Sequence, residues 1–128
     1  MIAYAGLDHV QVAAPPGGEA EARAFWGGAL GLPEVPKPPE MAKRGGCWFQ
    51  CGPQQIHVGV EAGFTPAHKA HPALRLADEA GYEALVARLG ERGIPVKHDR
   101  ELEPAVRRFF TEDPWGNRVE ILVETRSP

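Results

Sequence analysis

The chain is written twice. LDHVQV (7–12) near the start is answered by AHPALRL (70–76), and QQIHVGVE (54–61) is answered by NRVEILVE (117–124). His71 follows His9 by 62 positions and Glu120 follows His57 by 63. Two segments displaced by intervals that differ by a single residue, each holding one ligand-type side chain in an apolar strand, mark an internal duplication. Such a repeat constrains architecture before any single residue is read.

Between the anchors the two halves run in the same order. Residues 7–13 alternate as a strand and PPGG (15–18) breaks it. Glu19 to Leu30 carries a helical stripe of Ala22, Phe25, Trp26, Ala29 and Leu30, and Gly31 supplies a stop. The stretch 33–45 reads as loop, with a short edge strand around Glu34 to Pro36. Gly46–Gln50 and Gln55–Val60 are strands around the turn CGPQ. In the second half His71–Ala77 reads as a strand and Asp78 as an N-cap. Glu79–Arg92 is an amphipathic helix with Tyr82, Leu85, Val86 and Leu89 inward and Gly93 at its end. Strands follow at Ile94–Lys97, Arg107–Thr111 and Arg118–Val123, the last two joined by DPWGN (113–117). The reading is one α+β domain of 1–128: a first βαβββ module over 1–63, a linker over 64–70 and a second module over 71–128.

At this length a chain buries about 68% of its unfolded surface, enough for a core without staples. The hydrophobic fraction of 43% and charged fraction of 24% are those of a soluble globular domain. A net charge of −3 with no long basic run gives no reason to expect nucleic acid or an anionic membrane as a partner. No apolar run reaches the roughly 20 residues of a membrane span, and MIAYAGLDH lacks the pattern of a signal peptide, so a cytoplasmic location is expected. Cys47 and Cys51 fall in one strand, GCWFQC. Their Cα atoms should lie about 13 Å apart, too far to bridge.

Side chains alternate across a strand, so each candidate can be given a face. His9 shares one with Leu7 and Gln11, against Val10 and Val12. His57 shares one with Gln55, Gly59 and Glu61, against Ile56, Val58 and Val60. His71 goes with Ala73 and Arg75, and Glu120 with Arg118, Leu122 and Glu124. Glu120 is costly to bury alone, so a cation or a basic neighbour such as Arg118 or Arg75 is expected beside it. Gln11, Gln55 and Arg75 share the ligand faces and are candidates for binding an oxygen-rich or acidic substrate, with Trp48 as a candidate wall. Phe109, Phe110 and Trp115 read as core and turn packing.

LDHVQV, the helix RAFWGGALGL (23–32), HPALRLAD (71–78) and the closing FFTEDPWGNRVEIL (109–122) resemble one known family. Over nearly its whole length the chain is similar to the vicinal oxygen chelate superfamily, also called the glyoxalase/bleomycin-resistance/dioxygenase group. The resemblance implies two βαβββ modules forming a curved, U-shaped mixed sheet with helices outside. It also implies metal ligands at His9, His57, His71 and Glu120, and a homodimer acting on a small molecule. Three imidazoles and a carboxylate suit a divalent transition metal (Zn, Ni, Co, Mn or Fe(II)) better than Ca or Mg. A substrate with two neighbouring oxygens would chelate there in a lyase or isomerase mode, with an enolate-like intermediate stabilised.

The chain departs from the glyoxalase I-like pattern at His57, where those members carry a glutamate. Glu120 is then the remaining carboxylate for proton transfer, and His57 an acid–base candidate. A second assignment takes His9, His71 and Glu120 as a two-histidine, one-carboxylate triad, with His57 as a fourth ligand or a nearby acid–base group. Two other functions stand beside the first: an Fe(II) extradiol-type dioxygenase, and a metal-free protein that sequesters an antibiotic or toxin.

Overall fold

A computed structural model of the chain describes residues 1–125. The second module, expected to reach 128, extends three residues beyond the described ones. The polypeptide divides into two compact units, Met1–Phe64 and from Thr65 onward. In the first, β1 (His9–Ala14) leads through α1 (Glu19–Ala22) and a π-helical stretch (Arg23–Ala29) to β2 (Glu34–Val35). A one-turn α2 (Pro39–Ala42), β3 (Cys47–Cys51) and β4 (Gln54–Val60) complete it. The second holds β5 (Ala73–Arg75), α3 (Glu79–Glu91), β6 (Lys97–Asp99), β7 (Val106–Glu112) and β8 (Arg118–Glu124). Each unit builds its own four-stranded mixed sheet, ordered β1-β4-β3-β2 and β5-β8-β7-β6. This is the α+β fold of two βαβββ modules, with the same strand order in both.

The duplication survives in the register. β1 runs parallel to β4 with Gln11 opposite His57, and β5 runs parallel to β8 with Ala73 opposite Glu120. In each module a histidine, His9 or His71, lies two residues before that opposing position. On the other side Trp48 pairs with His57 and Phe110 with Glu120.

Apolar burial holds this register. Val12, Ala14, Ile56, Val58 and Phe49 are buried with Phe25 and Trp26 in the first core, whereas Leu74, Val119, Ile121, Val123 and Phe109 are buried with Tyr82, Leu85 and Leu89 in the second. Slipping any strand by one residue would exchange this face for the polar one. The helix after β1 is not uniformly α-helical. Leu30 N donates to Phe25 O at 2.9 Å, five residues back, and the adjacent aromatics Phe25 and Trp26 are both buried. Asp78 does cap α3, accepting from Gly81 N at 2.8 Å.

Several boundaries move. β5 keeps only Ala73–Arg75 of the expected 71–77, so His71 precedes the strand, although Glu120 N still donates to Pro72 O at 3.0 Å. The strand expected at Ile94–Lys97 lies instead at Lys97–Asp99, because Pro95 lacks a ladder donor and its carbonyl accepts from Thr111 Oγ1. Leu7 falls outside β1 and is exposed. Both cysteines are free thiols. The DPWGN turn is a polar knot: buried Asp113 accepts from Trp115 N, Asn117 N and Asn117 Nδ2, and Asn117 Oδ1 accepts from Ala67 N. No helix of the described residues is long and apolar enough to cross a membrane.

Gly46 begins the hairpin at φ +83°, and a Cβ there would lie 2.0 Å from Val58 O. Gly52 has φ +57° but open space around it. Gly52→Ala should therefore cost about 1–2 kcal/mol from backbone strain alone. Gly46→Ala adds a clash with backbone that cannot yield, and should cost more than about 3 kcal/mol in urea denaturation.

Candidate functional site

In the first module three rings stack. His57 lies between His9 (centroids 4.0 Å, planes 15° apart) and Trp48 (3.9 Å, 4°). The cross-strand pairing with His57 places Trp48 on the ligand face. His9 Nδ1 lies 2.9 Å from a carboxylate oxygen of Asp8, and His57 Nε2 lies 2.8 Å from Gln55 Oε1. Gln11, opposite His57, lies over Gly59, where a Cβ would come within 2.7 Å of its amide nitrogen. Gly59 thus leaves the room in which the Gln11 amide rests.

In the second module His71 and Glu120 meet directly, Nε2 to Oε1 at 3.0 Å. His71 Nδ1 is 2.8 Å from Lys69 O, and a carbonyl only accepts, so Nδ1 carries a proton. The opposing pair, a ring nitrogen and a carboxylate oxygen, then needs a proton or a cation between them. Glu120 is buried and has a second partner, Arg108 Nη1 at 3.5 Å. That cation is neither of the two expected. Arg118 lies instead over the Phe110 ring at 4.1 Å, and Arg75 pairs with Glu124 at 3.3 Å in solvent. The reason is register. Arg108 is two residues from Phe110, the cross-strand partner of Glu120, so it is the diagonal neighbour on the same face. Asp99 Oδ2, 2.7 Å from Arg108 Nη2, holds the guanidinium in place, and its own carboxyl is held low by the Glu101 backbone N–H and by Arg108.

Phe110 corrects a further expectation. Phe109 is in the core, but Phe110 faces the other way, edge-on to His71 at 5.6 Å and under Arg118. It is the counterpart of Trp48, 62 positions later. The repeat held that signal. Asp8, Gln50 and Arg108 carried none, since each matters only through a partner that the fold supplies.

The donor set suits a divalent transition metal in its chemistry. Histidines that bind metals usually donate one ring N–H to a carbonyl or carboxylate and keep the other nitrogen's lone pair free. His71 on Lys69 O and His9 on Asp8 have that arrangement. His9 and His57 as stacked do not share an ion, because lone pairs lie in the ring planes and near-parallel rings cannot both aim at a point about 2.1 Å away. Among the described residues, no group of three or more His, Cys, Asp or Glu is placed to hold a metal.

Residues 6–121 match the profile of the Glyoxalase/Bleomycin resistance protein/Dioxygenase superfamily. The chain belongs to this family. A glyoxalase family protein from Bacillus anthracis is 49% identical, with a TM-score of 0.90 over 98% of this chain and 100% of that one. Lactoylglutathione lyase from Agrobacterium tumefaciens shares the fold at 20% identity (TM-score 0.73, 94% of each chain covered). The fosfomycin resistance protein FosX from Mesorhizobium loti does so at 17% (TM-score 0.70, 96% of this chain and 95% of that one). No curated protein matches the sequence.

Burial, and next the neighbouring His9, hold the His57 ring below the usual histidine pKa. The unfolded chain therefore takes up this proton first as pH falls. The stability contributed by neutral His57 is complete above its unfolded pKa of about 6.5 and is lost below it, levelling off beneath the folded pKa. Thermal melts should show a decline from pH about 7.5 to 5.5 that is smaller in His57→Phe than in the parent.

Proposed function

We propose that this chain is a divalent-metal-dependent member of its superfamily, acting on a small substrate with two vicinal oxygens in a lyase or isomerase mode. The observation carrying the reading is the register-equivalent placement of His9 with His57 and of His71 with Glu120. At all three histidines a ring nitrogen lies within hydrogen-bond distance of an oxygen. The metal, of the Zn, Ni, Co, Mn or Fe(II) group, would be held by His9, His71 and Glu120. His57 stands beside them as a fourth ligand or acid–base group, and its stacking on His9 favours the latter. The two pairs would serve one ion within one chain or across a homodimer, which the reading includes.

When bound, the ion supplies Lewis acidity to the chelating substrate. The protein's own residues do the rest. Neutral His57 can accept a proton, and Glu120, anchored by Arg108, can carry one. Trp48 provides a flat apolar surface and Gln11 an amide for oxygen-rich groups, whereas the Gln55 amide, bonded to His57 and Gln50, and the Phe110 ring, covered by Arg118, have weaker claims. Arg75, turned to solvent and paired with Glu124, has the weakest claim of the substrate-binding candidates.

One observation favours a second reading. The Trp48–His57–His9 stack is a ready surface for a planar ligand, as a metal-free sequestering protein would use. Elemental analysis of tag-free protein decides between them. The expected result is close to one equivalent of transition metal per chain, with affinity reduced at least tenfold in His71→Ala and in Glu120→Gln. Iron would direct assays towards ring-cleaving dioxygenase substrates. No metal, and no uptake on soaking, would overturn the enzyme reading in favour of the binding protein.

A further inference from the structure

Strands β3 and β4 carry a one-way chain of side-chain hydrogen bonds that ends on His57. It begins at two backbone carbonyls: Gln50 Nε2 lies 2.7 Å from Gly52 O and 3.0 Å from Gln54 O. Carbonyl oxygens only accept, so the atom facing both is the amide nitrogen, and both of its protons are engaged. The Gln50 oxygen is thereby set on the other side, 3.2 Å from Gln55 Nε2. An oxygen in that place would face an oxygen, so the Gln55 amide is oriented in turn. Its Oε1 is left 2.8 Å from His57 Nε2. An amide oxygen has no proton to give, and the ring nitrogen must donate.

We infer that Gln50 and Gln55 are positioning residues that hold His57 as the Nε2–H tautomer, so that the Nδ1 lone pair is what this histidine presents to a proton or ligand. The inference rests on the reading of His57 as a working residue of the site. Nδ1 has no hydrogen-bond partner among the described residues, and it is not one of the buried side-chain atoms left unpaired. His71 has the opposite polarity, with Nδ1 protonated by its contact to Lys69 O and Nε2 turned to Glu120. Among the described residues the second module has no such relay. The positions answering Gln50 and Gln55 are Glu112 and Arg118, cross-strand partners like their counterparts, yet Arg118 is stacked on Phe110. The carboxylate of Glu120 has no tautomer to select, whereas the imidazole of His57 has two.

The test is long-range ¹H–¹⁵N correlation NMR on metal-free protein with labelled histidine at pH 7.5, with His57 assigned by its loss in His57→Phe. The parent should show a neutral His57 ring with a protonated Nε2 and an unprotonated Nδ1. Gln55→Leu should replace this pattern with averaged nitrogen shifts, and Gln50→Leu should do so in part, since Gln55 is then free to turn over. Gln55→Glu retains an acceptor and should preserve the protonated Nε2. A parent ring protonated at Nδ1 alone would overturn the inference, as would a folded Gln55→Leu or Gln50→Leu with an unchanged pattern. Because the spectra need no metal, a protein that binds none would sink the metal reading and leave the tautomer result standing.

Discussion

In each module the first strand lies parallel to the last, and the candidate site depends on that ladder. Parallel neighbours cannot be joined by a tight turn, so a helix and two further strands must be completed before the pairing closes. Only then does His9 come beside His57, or His71 beside Glu120. A one-residue slip would send each of these side chains to the opposite face. What resists the slip is the apolar face beneath, where Ile56 and Val58 or Val119 and Ile121 are buried. Each such side chain is worth about 1.5–3 kcal/mol out of water, against about 0.5–1.5 kcal/mol net for a neutral hydrogen bond on the other face. The chemistry is thus held in register by residues that take no part in it.

The polar face meets a different constraint. A buried carboxylate or imidazole is tolerated only where its hydrogen-bonding capacity is met. Glu120 is met by His71 and Arg108, and Arg108 Nη2 by Asp99, while Arg108 Nε stays buried without a partner among the described residues. His57 is met by Gln55, and Gln55 by Gln50. These supporting side chains differ between the halves although the strands beneath them match. Duplication preserved the backbone positions, while each half acquired the partners that its own functional group requires. Solved structures that share this fold include a lactoylglutathione lyase and a fosfomycin resistance protein, and one scaffold accommodates many chemistries.

Much of the fold was legible in the chain, and for identifiable reasons. Alternating strands, the Asp78 cap and the DPWGN turn are local signals, read over a few residues. The repeat converts local signals into long-range order, since two matching halves imply two matching modules. Legibility failed where tertiary contacts override local pattern. The helix after β1 winds more widely around two buried aromatics, and β6 begins only after Pro95. The stretch before β3 gains a short helix that its prolines had suggested was loop.

The site divides along the same line. The residues His9, His57, His71 and Glu120, and the faces they occupy, follow from alternation and from a near-constant offset, both properties of the sequence by itself. Which neighbour each one touches does not follow. The choice of Arg108 over Arg118 or Arg75 for Glu120, the turning of Phe110 out of the core, the stacking of three rings around His57 and the chain of amides behind it were decided by tertiary structure. Cross-strand register sets the distances between residues far apart in sequence, and hydrogen bonding and ring stacking act only across distances of a few ångströms.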